Sequence, residues 1–318
     1  RDVRHAIDGD AVLIGMGAAG LLSRARYRSF GSAWTYVASS VDRATAPGQL
    51  DREGALHQGL PDGAARPFCA LVGGAQVLHS PGPRVYPQLF AARGFDARSY
   101  LPVITGDLAG CLPLLRACGA VGLSVTMPLK ADAATLAEGD PTVARLGAAN
   151  SLRFRDGWEA TNTDVTGVRE PLRPLVPPGR RMLVLGTGGA AAAAIAAGCD
   201  LGLDVAVSGR RDEAAQLLAQ RLGVRTLDWD DRGSFTGEVL VNATPLTGPE
   251  SPWPVAHRVR SSVVFDLALG AAPEALRRQA AQAHLLPAET MWVTQGAKQI
   301  GWFFDAKVDP DELLAYLG

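Results

Sequence analysis

Residues 182–194 read MLVLGTGGAAAAA, and this stretch decides the fold. An apolar run of strand length passes straight into a glycine turn and then into an alanine-rich segment of high helix propensity. Gly186, Gly188 and Ala191 match the spacing G-x-G-x-x-[G/A]. In that pattern one glycine permits a tight turn, a second lets backbone approach a pyrophosphate, and the small third residue lets helix and strand pack closely. The helix N-terminus then attracts the phosphates. The backbone of Gly186, Gly188, Gly189 and Ala190 is expected to face such a group. A glycine-rich turn in an unrelated α/β protein is the competing reading.

The next apolar run ends in Ser208-Gly209-Arg210-Arg211. An acidic residue at the end of that strand would hold a ribose 2′-hydroxyl, whereas two guanidiniums favour a 2′-phosphate. Ser208, Arg210 and Arg211 therefore select NADP, with Asp212 as a nearby opposing charge. The alternative is a solvated arginine pair capping the turn.

Outward from this unit, apolar runs alternate with helical spacing. CALVGG (69–74), SYLPVI (99–104) and VGLSVTM (121–127) read as strands. Between them, VYPQLFAARG (85–94) and GDLAGCLPLLRACG (106–119) read as helices. After the glycine turn, DVAVS, VLVN and VVFD are further strands, DEAAQLLAQRLG is a helix, and the tail from about 289 has helical spacing. Strands alternating with helices predict βαβ units and parallel sheets. The expected division is an N-terminal piece at 1–60 and a domain at 66–165 that takes back 288–318. A dinucleotide-binding domain is expected at 166–287. The Pro- and Gly-rich stretches 60–67 and 177–181 are breaks.

The 318 residues include 31 basic and 32 acidic side chains, a net charge of −1. That balance gives no general electrostatic reason to bind nucleic acid or an anionic membrane. No run reaches the ~18 apolar residues of a membrane span. Cys69, Cys111, Cys118 and Cys199 show neither CxxC pairing nor zinc-finger spacing, so no metal site is expected. They read as small buried hydrophobes in a reducing cytoplasm. The chain starts Arg-Asp-Val without a leader-like pattern, as if cut from a longer polypeptide.

In the first half, polar residues interrupt apolar segments: Thr126 and Lys130 in GLSVTMPLK, Asn150 in GAANSL, and Asn162, Thr163 and Asp164 in ATNTDVTG. Singly, each reads as a turn, a cap or a solvated charge. Together they supply a cation, a carboxylate and neutral hydrogen-bonding groups, the set a polyhydroxylated small molecule needs.

These segments, followed in order by GTGGAA, VNATPLTG and TQGAKQIGWF, resemble the shikimate dehydrogenase family over residues 68–318. The resemblance implies a two-domain α/β architecture with a Rossmann NADP domain. It also implies NADP-linked interconversion of 3-dehydroshikimate and shikimate in chorismate biosynthesis. Lys130 and Asp164 match the catalytic pair. Ser80, Thr126, Asn150, Thr163 and Gln295 match substrate-binding positions, and Asn242 and Thr244 match cofactor-binding ones. Departures stand at Gly82, Tyr86-Pro87, Ser124, Ala192, Leu269 and Ala288. Those at Gly82, Ser124 and Leu269 leave two alternatives open: a quinate/shikimate dehydrogenase, or a non-catalytic NADP-binding paralogue.

Residues 3–58 resemble the end of type I 3-dehydroquinate dehydratase, a TIM barrel. Arg24, Thr45 and Gln49 match its substrate-binding positions, while its Schiff-base lysine and histidine have no counterpart here. The resemblance implies a partial barrel remnant without dehydratase activity, and a partner in the remaining dehydratase part of the same polypeptide. The apolar runs Ala11–Met16 and Trp34–Ala38 read as strands, and orphan barrel strands would expose edges and apolar faces. The other reading is an N-terminal extension that folds onto the dehydrogenase.

Overall fold

The computed structural model of the chain describes residues 8–46, 48–58, 60, 66–246, 250–269 and 274–317. It divides into two compact units. One runs through Thr161 and takes back Gly301–Ala306 and Asp311–Gly318; the other is Asn162–Ile300 with Lys307–Pro310. The first break falls a few residues before the expected 165/166. The return falls inside the helix Ala288–Phe304 rather than at its start.

The first unit is built on a six-stranded sheet. Its strands are β1 (Phe68–Gly73), β2 (Ser99–Ile104), β3 (Ala120–Val125), β4 (Glu138–Gly139), β5 (Ser151–Phe154) and β6 (Trp158–Thr161), in the order β2-β1-β3-β5-β6-β4. β1 pairs parallel with β2 and β3. β1 is buried at every position, as an apolar strand covered on both faces should be. β5 runs antiparallel to both β3 and β6. Arg153 on β5 fixes the end of the chain's long helix: it donates to Glu159 Oε2 at 2.6 Å and to the Trp302 carbonyl at 2.8 Å. Its guanidinium also lies 4.4 Å from the Trp302 ring centroid.

The second unit carries a parallel sheet of β7 (Arg181–Leu185), β8 (Asp204–Ser208), β9 (Arg225–Thr226), β10 (Val239–Asn242), β11 (Val263–Asp266) and β12 (His284–Leu286). The order is β12-β11-β10-β7-β8-β9. β7 lies at the centre, and the chain leaves it in opposite directions across the sheet, the hallmark of a doubly wound fold. Ala191–Ala197 of the helix Gly189–Asp200 are all buried. Alanine permits this close helix–sheet approach, and at Gly198 even a Cβ would come 2.8 Å from Met182 Sδ.

The N-terminal segment does not form the strands expected of it. Ala11–Met16 form no strand, and residues 34–38 contribute only a single bridge, Ala38 to Asp51. A barrel strand needs a neighbour on each side, and among the described residues of this segment there is none. Short helices form instead, including Leu21–Ala25 and Arg52–His57, the latter capped by Asp51 Oδ1 accepting from Gly54 N at 2.9 Å. Leu22, Ala25, Ala55 and Leu60 join the same core as Phe68, Leu101, Leu112 and Leu123. Arg26, 2 % exposed, donates to the carbonyls of Arg66 and Cys118 and stacks over the Phe68 ring. The segment thus folds onto the first unit. Met16, Trp34, Tyr36 and Val41 stay exposed, so the expected apolar surface is present without orphan strands.

None of the four cysteines is in a disulfide. Burial pushes Cys69 well up and Cys111 up to about 11, which keeps both protonated and unreactive. No helix among the described residues is long and apolar enough to cross a membrane.

Candidate active site

The first unit assembles four of the expected residues around the C-terminal ends of β1 and β3, where parallel strands present ligand-binding loops. Beyond β3, Thr126 N donates to Val72 O and Gly74 N donates to Met127 O, so this loop is stitched onto the end of β1. A Cβ on Gly73 would lie 2.4 Å from Thr126 Cγ2. The glycine is what admits the threonine there. The Met127–Pro128 peptide is cis. Lys130 then opens the helix Lys130–Leu136, where the helix dipole disfavours a cation. Lys130 O accepts from Ala149 N, and Asn150 O accepts from Val125 N at 2.7 Å, which ties the two motifs together. Asn150 is 3 % exposed, and its Oδ1 accepts from Ser151 Oγ.

Ser80 ends the short helical turn after β1, half-buried. Its Oγ accepts from Gly82 N at 3.2 Å. The hydroxyl hydrogen is thereby left to be donated to an anion. A side chain at 82 would meet Tyr100 Cε1 at 2.8 Å, and Tyr86 packs edge-on against the Tyr100 ring at 4.6 Å. Tyr100 in turn bonds to Ser124. Three of the departures, Gly82, Tyr86 and Ser124, therefore surround one buried tyrosine.

The second unit brings Thr163, Asp164 and Gln295 together. Asp164 starts the helix Asp164–Leu172, where a carboxylate complements the dipole. Its backbone N–H donates to Asn162 Oδ1, a buried side chain of the same TNTD motif. Thr163 Oγ1 donates to Gln295 Oε1. The helices carrying these residues touch at Gly167, where a Cβ would stand 2.8 Å from Gln295 Cβ.

The glycine turn adopts the expected strand-turn-helix form. Gly186 has φ 118°, closed to other residues, and a Cβ there would lie 2.7 Å from Ala243 O. A Cβ on Gly188 would meet nothing within 4 Å, so the turn backbone is open. The helix from Gly189 has no acidic residue in its first turn. Arg210 and Arg211 are exposed after β8. These features fit a dinucleotide with a 2′-phosphate.

Two of the expected cofactor residues are buried. Ser208 is fully buried and its Oγ has no hydrogen-bond partner, while its carbonyl accepts from Gly186 N. Asn242 is likewise buried. It donates to Asp266 Oδ1 at 2.9 Å and accepts from Thr244 N and Oγ1. Both order the loops behind the turn. Asp266 itself was missed; its signal was a carboxylate ending the wholly apolar run VVF. Burial raises its carboxyl above the usual range, opposed by bonds from Ala268 N and Asn242. Leu269 is 45 % exposed.

In the N-terminal segment, Gln49 Oε1 accepts from Thr45 N and Oγ1, while Arg24 is buried with Nε unpartnered. Thr45 and Gln49 thus bond to each other.

A doubly wound sheet with an open glycine turn and an arginine pair defines a dinucleotide-binding α/β protein. Comparison with known proteins narrows the class. The family model "Shikimate dehydrogenase substrate binding domain" matches residues 72–152, and "Type I 3-dehydroquinase" matches residues 2–58. A shikimate dehydrogenase (NADP(+)) of Anaeromyxobacter dehalogenans is 37 % identical over 239 residues, 70 % of this chain and 86 % of that protein. A shikimate 5-dehydrogenase of Thermus thermophilus, solved with NADP(H) and shikimate, is 27 % identical with TM-score 0.70, covering 79 % and 98 % of the two chains. A quinate dehydrogenase of Corynebacterium glutamicum, solved with NAD, shares the fold at TM-score 0.72 and 22 % identity, covering 79 % and 98 %. The chain belongs to the shikimate dehydrogenase family.

Proposed function

We propose that the chain is an NADP-dependent shikimate dehydrogenase that interconverts 3-dehydroshikimate and shikimate. The observation that carries this is the open glycine turn at Gly186–Gly189 followed by exposed Arg210 and Arg211, in a chain that keeps Lys130 and Asp164. NADP, when bound, supplies or accepts the hydride. The backbone N–H groups at Gly188–Ala190 hold its pyrophosphate, and the two arginines hold its 2′-phosphate. Lys130 Nζ delivers the proton to the carbonyl oxygen during reduction and receives it back during oxidation, with Asp164 as its paired carboxylate. Thr126, Asn150, Thr163 and Gln295 orient the ring hydroxyls. Ser80 Oγ donates to the carboxylate. A cytoplasmic location is in keeping with four cysteines that form no disulfide.

A second reading, dehydrogenation of quinate as well as shikimate, is favoured by Gly82, which removes one hydroxyl beside Ser80. The test supplies shikimate or quinate with NADP or NAD and follows cofactor reduction by absorbance. Turnover of shikimate with NADP is expected. Turnover confined to quinate and NAD would reject the first reading, and no turnover with any pair would reject both.

A further inference from the structure

The N-terminal segment reaches the Ser80 turn through one side chain. Gln58 follows the helix Arg52–His57 and is 5 % exposed. Its Nε2 donates to Pro83 O at 2.9 Å, and its Oε1 accepts from Tyr100 N at 2.9 Å. Its own carbonyl accepts from Ser99 Oγ. Pro83 lies in the first turn of the helix Gly82–Arg93, and Tyr100 is the second residue of the edge strand β2.

The Ser80 turn adjoins both anchor points. Gly82 N donates to Ser80 Oγ, and the Tyr100 ring edge closes over Gly82. One buried carboxamide thus holds both sides of the turn. The chemistry of this bridge is selective. The amide offers a donor and an acceptor on one planar group; ionised glutamate lacks the donor and asparagine is one methylene short. Moving the side chain would leave a buried N–H or C=O unpaired, which costs more than the bond itself is worth.

We propose that Gln58, contributed by the dehydratase-like segment, is a positioning residue for the dehydrogenase: it sets the Ser80 turn so that the Ser80 hydroxyl meets the substrate carboxylate. The inference rests on the dehydrogenase reading above. It makes the N-terminal segment a working part of substrate recognition.

The test uses the whole chain. Gln58→Leu keeps the volume and removes both bonds. It should raise KM for shikimate about tenfold, with kcat within about twofold and NADPH affinity unchanged. Gln58→Glu should show a raised KM at about pH 8 that falls towards wild type near pH 6, because a protonated carboxyl regains a donor for Pro83 O. Amide exchange at Gly82, independent of turnover, should be faster in Gln58→Leu than in wild type. An unchanged KM in Gln58→Leu, or kcat, KM and NADPH binding all worsening together, overturns the proposal. If wild type fails to oxidise shikimate, the dehydrogenase reading fails separately. In that event equal Gly82 exchange in wild type and Gln58→Leu overturns the brace, and faster exchange in the variant supports it.

Discussion

Thr163 donates its hydroxyl to Gln295 Oε1 at 3.2 Å, across 132 residues of sequence. This joins the residue that precedes the helix Asp164–Leu172 to the middle of the helix Ala288–Phe304, and fixes which way the Gln295 carboxamide points. Gln295 Nε2 is held in turn by Trp292 O. Thr163→Val should therefore raise KM for shikimate about three- to tenfold. The double variant with Gln295→Ala should be less than additive, with a coupling of about 0.5–1.5 kcal/mol. Full additivity in steady-state kinetics would show that the two side chains act separately.

Lys130→Ala removes the proposed proton carrier while leaving the glycine turn intact. kcat should fall about 10²- to 10⁴-fold, and NADPH affinity, read by fluorescence titration, should hold within about twofold. A kcat near wild type would remove Lys130 from the chemistry.

Arg210 and Arg211 concern one phosphate. With both changed to alanine, kcat/KM for NADP should fall about 10- to 100-fold, the worth of about 1.5–3 kcal/mol for charge-assisted hydrogen bonds. The value for NAD should move far less, since NAD carries no 2′-phosphate. Equal losses with the two cofactors would mean that the arginines merely cap the turn.

Asp266 gives the chain a signed pH dependence. Burial places its carboxyl above the ordinary range of about 3.9. Between the unfolded value and the raised folded one, the native state binds the proton more tightly. Its contribution is thus most favourable at low pH and is lost as pH rises through the folded value. Asp266→Asn lacks this titration. In urea unfolding, its stability relative to wild type should increase as pH rises from about 4 towards neutrality. A constant difference across that range would show that burial does not perturb this carboxyl.

Local pattern carried much of this architecture. MLVLGTGGAAAAA is legible because strand, turn and helix are contiguous and each obeys its own rule. Ala11–Met16 misled for the same reason: an apolar run reads as a strand whether or not a neighbour exists to pair with it. The antiparallel pair Ser151–Phe154 and Trp158–Thr161 went unnoticed, although Asp156-Gly157 between two strand-like runs is a hairpin signal. The motifs exposed Lys130, Asp164 and Gln295 as candidates, yet not the division of labour around Asn242 and Ser208. Both are polar residues at the ends of apolar strands, and only burial shows that they face inward. Gln58 carried no signal at all, since its partners are 25 and 42 residues away.

The Arg26 clamp sets an order of events during synthesis. Its acceptor at Cys118 is made 92 residues later. At roughly 5–20 residues per second on the ribosome, about 5–20 s separate the two. Through that interval the guanidinium has no carbonyl at 118 to bond, and the apolar side of Leu22 and Ala25 has no β3 beside it. The core that Leu22 and Ala25 share with Ala120 and Leu123 can therefore close only after β3 has emerged.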